Sequence, residues 1–216
     1  MSSNKYDLII FDLDGTLLNT KEGIVSSVKY TIEKMGYKEI SDKEIDSFIG
    51  PPIQDSFARE YGISGDELQV VATTFRDRYK YHDLYKAEVY EGIVDVLSEI
   101  KKRGMLLAVA TYKREDYAKM ILKHFNIDGF FDVIHGADHE NILKKSDIVR
   151  MCVEETGIRD KERVLLIGDT ENDEKGAKAI GVNFLGVLYG FGYREETNRS
   201  DANEYAREPK EILEYI

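Results

Sequence analysis

The chain has 216 residues, enough for one hydrophobic core with a small inserted unit and too few for two large domains. With 42% apolar and 33% charged residues it has the composition of an ordinary folded chain, which excludes a largely disordered one. A formal charge of −11 argues against a nucleic-acid polymer or an anionic membrane as partner, because both are held mainly by excess Lys and Arg.

The polar start MSSNKYD runs directly into the apolar LIIF of residues 8–11, which leaves no room for a signal peptide, and no apolar stretch approaches membrane-spanning length. A cytoplasmic protein is the expectation. LIIF is too short for a helix and uninterrupted by polar residues, so it reads as a strand buried on both faces. It ends in Asp12, Leu13, Asp14 and Gly15. Residues 17–82 then show three helical patterns and no strand: Ile24, Val28, Ile32 and Met35; Ile45, Phe48 and Ile49; and Leu68, Val71, Phe75 and Tyr79. Ser41-x-x-Glu44 and Ser64-x-x-Glu67 predict capping boxes ahead of the second and third.

From residue 83 onward strand and helix alternate. A helix is predicted around Ile93, Val96, Leu97 and Ile100, then the strand MLLAVA at 105–110, a helix through Tyr117, Met120, Ile121 and His124, and a strand at 131–134. A helix carrying Ile148, Val149, Cys152 and Val153 leads to the strand VLLI at 164–167, and a last helix capped by Gly181 leads to a strand at 182–187. Such alternation predicts an α/β fold, a three-layer Rossmann-like parallel sheet with helices on both faces, interrupted by an all-helical insertion. The expected division is 1–16 with 83–216 as the α/β core and 17–82 as the insertion. Cys152 is the sole cysteine, so no internal disulfide forms, and its apolar neighbours predict a buried structural thiol. Asn198-Arg199-Ser200 matches a glycosylation acceptor by chance in a chain with no secretion signal.

Each of the three best strands ends in a polar residue: Asp12, Thr111, and Asp169 after Gly168. In open parallel sheets ligands bind at the carboxyl ends of the strands, so these residues are candidates for one shared site. Asp14 and Asp173 would join them, and four converging carboxylates repel one another unless a cation lies among them. Oxygen ligands without a His or Cys cluster favour a hard ion such as Mg²⁺. Asp12 and Asp14 point to the same side of an extended chain while Leu13 points to the core, and Gly15 lets the backbone turn close to a ligand. A glycosidase needs its two acids on opposite sides of the scissile bond, which neighbours on one strand suit poorly. His82, His124, His135 and His139 have no metal-ligand spacing, and no P-loop motif is present.

FDLDGT at 11–16, together with GDTENDEKGAKAIG at 168–181, resembles the haloacid dehalogenase-like superfamily of phosphatases and phosphomutases, and the helical insertion resembles the cap of its phosphoglycolate phosphatase-like branch. The resemblance implies a Mg²⁺-dependent hydrolase of a small phosphomonoester, phosphoglycolate being the first candidate, with a 5′-nucleotidase, a pyrophosphatase, a sugar phosphomutase or a non-catalytic phosphometabolite sensor as alternatives. Asp12 is then the nucleophile that forms an aspartyl-phosphate, and Asp14 is the general acid and base. Thr111, in AVATYK, matches the second motif that holds the phosphoryl group. Lys145, in LKKSDIVR, is the third-motif lysine, with Lys144 as the alternative because the family's common Lys-Pro pair is absent. Asp169 would bind the metal with Asp12 and the Asp14 backbone carbonyl, while Asp173 supports or completes that site, or else serves as an acid in a first helical turn. Gly15, Tyr112, Lys113 and Gly50 are the implied substrate contacts. The loop GPPIQDSF at 50–57 resembles the cap's specificity loop, and it has Ile53 where sugar phosphomutases present an arginine. Lys21 and Arg59 are weaker candidates for an anionic substrate. The implied partner is a small phosphorylated metabolite, and the protein a monomer or homodimer.

Overall fold

The computed structural model describes residues 4–140, 142–193 and 204–216, and the chain forms two compact units, Met1–Asn19 with Val89–Ile216, and Thr20–Glu88. The glycosylation pattern at Asn198 lies outside the described residues. The first unit is a six-stranded parallel sheet of β1 (Leu8–Phe11), β4 (Leu106–Arg114), β5 (Val133–Ala137), β6 (Val164–Gly168), β7 (Asn183–Val187) and β8 (Glu204–Ala206), in the order β5-β4-β1-β6-β7-β8. β8 was not expected: three residues, Glu204, Tyr205 and Ala206, are too few to carry a periodic pattern. β5 begins two residues later than its predicted start, because Phe131 closes the 3₁₀ turn Asp128–Phe130. Two short strands, β2 (Leu18–Asn19) and β3 (Glu88–Val89), pair separately.

Apolar strands buried on both faces explain why LIIF and VLLI lack alternation. Leu8, Ile10, Ala108, Ala110 and Leu166 share one core with Ile148, Val149, Cys152 and Val153 of α7 (Lys145–Thr156) and with Ala177 and Ile180 of α8 (Glu171–Ile180). The intervening Ile9, Phe11, Leu107, Val109 and Ile167 are equally inaccessible, on the face carrying α5 (Ile93–Lys102) and α6 (Glu115–His124). Cys152 is a buried free thiol that donates to the Val109 carbonyl, and burial pushes its pKa up to about 12. Gly181 closes α8 in the left-handed conformation, as its position predicts.

The second unit consists of α1 (Lys21–Met35), α2 (Asp42–Asp46), α3 (Ile53–Tyr61) and α4 (Gly65–Arg78), extended by a π-helical turn at Tyr79–Asp83. The capping box at Ser41 forms: its amide donates to Glu44, whose own amide donates back to the hydroxyl. At Ser64 it does not, since Glu67 instead accepts from the Tyr37 hydroxyl at 2.7 Å. The second predicted helix is only five residues long. It ends at the Ser47 cap, and it cannot resume through Gly50 at φ +100° and the consecutive Pro51 and Pro52, because proline disfavours helical geometry at the residue before it and has no amide to donate. Phe48 is still buried, edge-on to Phe57 of α3. Asp83 is wholly buried and accepts from Ser27, Arg78 and Lys86. No described helix is long and apolar enough to cross a membrane.

Candidate active site

Parallel register sets the edge of the sheet at which the acids emerge. Phe11 of β1 lies opposite Val109 of β4 and Ile167 of β6, so Asp12 leaves its strand beside the ends of both neighbours. The Asp12 amide donates to the Ile167 carbonyl, which carries the strand pairing one residue further. A tight turn follows, in which the amides of Leu17 and Leu18 both donate to the Leu13 carbonyl, and Leu13 is fully buried. Gly15 has φ +86°, and a Cβ there would lie 2.2 Å from Asp169 Oδ2; only glycine permits both.

β4 reaches the same edge with a bulge. Thr111 pairs with Gly136 but the next pair is Arg114 with Ala137, so Tyr112 and Lys113 have no counterpart on β5. A bulge re-aims the side chains it carries. The Lys113 ammonium lies 2.9 Å from Asp14 Oδ1, with both side chains largely buried, and the Tyr112 hydroxyl accepts from the Lys145 amide at 2.9 Å. Thr111 is buried and its hydroxyl accepts from the Lys113 amide. Gly136 makes room, since a Cβ there would be 2.4 Å from the Lys113 carbonyl.

Lys145 is the first residue of α7 and is 3% exposed. Its ammonium lies 2.5 Å from Asp12 Oδ1 and 2.6 Å from Asp173 Oδ1. Lys144 stands just outside the helix and its amide donates to Asp147, so of the two lysines it is Lys145 that the fold brings to the acids. Burial works against the Lys145 ammonium, but the charges of Asp12 and Asp173 outweigh it and raise its pKa. Burial likewise pushes Asp12 up; Lys145 pulls it back, Asp173 and Asp14 push again, and the result is about 7.

Asp173 has both oxygens engaged. Oδ1 meets Lys145, and Oδ2 accepts from the amide and hydroxyl of Thr170, the residue just before α8. Asp173 therefore caps the start of α8 and at the same time pairs with Lys145. Asp169 is held by a segment outside the sequence expectations, Tyr189-Gly190-Phe191-Gly192-Tyr193. The amides of Phe191 and Gly192 donate to Asp169 Oδ2, and the Tyr193 amide donates to the Asp169 carbonyl. Glycine is required twice: a Cβ on Gly190 would lie 2.4 Å from Asp169 Cβ, and one on Gly192 2.4 Å from the Asp169 carbonyl oxygen. The alternation of glycine with aromatic residues just after a strand was the available signal.

One oxygen remains. Asp169 Oδ1 is buried with no hydrogen-bond partner among the described residues, whereas buried polar atoms are nearly always paired. Burial and the charges of Asp173 and Asp12 raise the Asp169 pKa well above the carboxylate range, against the pull of the two amides. Asp12, Asp169 and Asp173 each place an oxygen within 4.8 Å of the others. Two ammonium groups cannot neutralise four carboxylates, and the donor set is all oxygen. These residues fit a hard divalent cation.

The remaining candidates lie in the helical unit and have local partners. Lys21 pairs with Asp46, and the Arg59 guanidinium donates to the carbonyl and hydroxyl of Ser47. Gly50 precedes the prolines that lead into α3, with Pro52 as its cap and Ile53 as its first residue. Of the histidines, His135 lies between Glu115 and Glu155 and is not part of the acid cluster.

A sequence profile described as haloacid dehalogenase-like hydrolase matches residues 9–187. A 5′-nucleotidase from Pseudomonas aeruginosa is 34% identical over 202 residues, covering 93% of this chain and 91% of that protein. The pyrophosphatase PpaX from Halalkalibacterium halodurans is 31% identical over 209 residues, covering 96% of this chain and 95% of its own. Among solved structures, a "predicted phosphatase" from Clostridium acetobutylicum superposes with a TM-score of 0.89 at 35% identity, covering 98% of this chain and all of that one.

Proposed function

The chain belongs to the haloacid dehalogenase-like hydrolase family, and from that premise we propose that it is a Mg²⁺-dependent phosphatase of a small phosphorylated metabolite, acting through an aspartyl-phosphate on Asp12. The observation that carries this reading is Lys145, a buried ammonium bridging Asp12 and Asp173 at 2.5 and 2.6 Å, with Asp14 two residues further along the chain. An ammonium so placed favours the charged form of Asp12 against the effect of burial and draws an incoming phosphate to it.

In the first step an Asp12 oxygen forms a bond to phosphorus while the bond from phosphorus to the leaving oxygen breaks, and Asp14 hands that oxygen a proton. In the second step Asp14 takes a proton from water, the resulting hydroxide attacks phosphorus, and the bond to Asp12 breaks. One carboxyl serving both steps suits a residue next to the nucleophile. Thr111 and the amides of the bulge beside it hold the phosphoryl oxygens, and Lys113, at Asp14, meets the leaving portion of the substrate. Asp12, Asp169 and the Asp14 carbonyl would hold the ion, which supplies positive charge to the phosphoryl oxygens when bound. Asp173 acts through Lys145 and the Thr170 turn. The helical unit serves as the cap that selects substrate.

The test is phosphate release with Mg²⁺ from a panel of phosphoglycolate, nucleoside monophosphates, sugar phosphates and pyrophosphate. Turnover of one or more of these, abolished in Asp12→Asn, is expected. Binding of panel members without phosphate release would replace the hydrolase with a sensor, and conversion of one sugar phosphate into its isomer would replace it with a mutase.

A further inference from the structure

We infer that Tyr112 is a positioning residue for Lys145: its hydroxyl fixes the first turn of α7 at the height from which the lysine ammonium reaches Asp12. The inference rests on the phosphatase reading above for its catalytic consequence and on geometry for its structural one.

The first amides of a helix have no partner within it and need acceptors from elsewhere. A serine, threonine, aspartate or asparagine at the preceding position commonly supplies one. Here that position is Lys144, whose ammonium carries donors only. The Lys144 amide finds Asp147 Oδ2 at 3.0 Å, and the Lys145 amide is taken by the Tyr112 hydroxyl, 33 residues away in sequence, at 2.9 Å.

Tyr112 is free to do this because of the bulge. It lies where the register of β4 on β5 shifts between Thr111 and Arg114, and it packs against the core cluster that includes Ile148 and Val149 of α7. Its ring centroid lies 5.8 Å from the Lys145 ammonium, so strand, helix start and catalytic cation are mutually fixed. The lysine stem is constrained separately: a Cβ on Gly176 of α8 would fall 2.8 Å from Lys145 Cγ. The side chain is thus held at its amide by Tyr112, along its stem by Gly176, and at its head by Asp12 and Asp173. A displacement of about 1 Å at such a charge can cost on the order of 100-fold in rate.

Tyr112→Phe keeps the ring and removes the acceptor. Expected are a fall in kcat of about 10-fold or more with KM within about 3-fold, and faster exchange of the Lys145 amide hydrogen while the rest of α7 stays protected. Adding Lys144→Ser to this variant supplies an acceptor for the next amides of the helix and is expected to recover any lost thermal stability without restoring kcat. Wild-type kcat with unchanged Lys145 amide protection in Tyr112→Phe overturns the inference, and so does full recovery of kcat by Lys144→Ser, which would reduce Tyr112 to general support of the helix. If the wild-type protein releases no phosphate from any substrate, the phosphatase reading fails by itself. The amide exchange, together with the Lys145 to Asp12 distance in a crystal structure of the variant, then decides the positioning role.

Discussion

The Lys145 ammonium lies 2.5 Å from the Asp12 carboxylate although 133 residues separate them in the chain. Both are buried, and with Asp173 they form a triad in which one cation serves two anions. Removing one member of a buried ion pair leaves an uncompensated charge, typically at a cost of about 3–5 kcal/mol, well above the worth of a surface pair.

Lys145→Met is accordingly expected to lower kcat by about 100-fold or more and to lower the melting temperature of the metal-free protein. Lys144→Ala should leave both close to wild type. Kinetics and thermal unfolding of the pair check the assignment; equal losses from the two substitutions would overturn it.

Asp12→Asn removes the nucleophilic charge with little change in volume. Turnover should fall by roughly three orders of magnitude or more, as for other lost nucleophiles, while the fold persists. Substrate-derived phosphate trapped on the protein after rapid quenching should disappear in the same variant. Near-normal turnover would remove the covalent intermediate from the mechanism.

Stability should depend on pH with a definite sign. Burial first, with Lys145 opposing and Asp173 and Asp14 reinforcing, raises Asp12 to about 7, and Asp169 shifts in the same direction. Between about pH 4 and pH 7 the folded protein therefore keeps a proton that the unfolded chain has released, and stability falls as pH rises across that window. Asp7, Asp83 and Asp132 are held below the usual carboxylate range; their contribution is lost only as pH falls below about 4, outside this window. The metal-free protein should melt lower at about pH 8 than at about pH 5.5, and Mg²⁺ should raise the melting point more at the higher pH, because it binds ionised carboxylates. Scanning calorimetry with and without Mg²⁺ measures this, and a melting point indifferent to both would contradict it.

Gly190→Ala and Gly192→Ala each press a methyl group onto Asp169. Residues that orient a metal ligand typically matter by about 10- to 100-fold in affinity, so Mg²⁺ binding measured by calorimetry should weaken by that order. Gly157→Ala, at a helix end where a Cβ meets nothing within 4 Å, should not weaken it.

In the helical unit, Asp83→Asn leaves Arg78 and Lys86 without their shared acceptor charge. A loss of about 2 kcal/mol is expected in urea unfolding. Burial would raise the Asp83 pKa, but its hydrogen bonds from Arg78, Lys86 and Ser27 outweigh this and lower it, so the difference from wild type should shrink as pH falls below about 4.

The sequence by itself determined the alternation of strand and helix, the helical interruption after the first strand, and the acids Asp12, Asp14, Asp169 and Asp173 as one set. These are legible because a doubly buried strand must be an unbroken apolar run, and because residues at strand ends share an edge once the sheet is parallel. What local pattern cannot carry is contact between segments distant in the chain. Tertiary structure alone decided for Lys145 over Lys144, since the two are neighbours at the start of the same helix and only its packing on Gly176 and the sheet selects which side chain turns inward. The bulge that sends Tyr112 to that helix and Lys113 to Asp14 is a mismatch between two strands, invisible in either one. The failed cap at Ser64 has the same origin: Glu67 carries the right local signal, and Tyr37, 30 residues earlier, competes for it successfully. The cradle at Tyr189–Tyr193 holds Asp169 through backbone amides, which every residue but proline possesses. Its function therefore left only a spacing of glycines in the sequence, and the reason for that spacing is how closely two distant pieces of backbone approach.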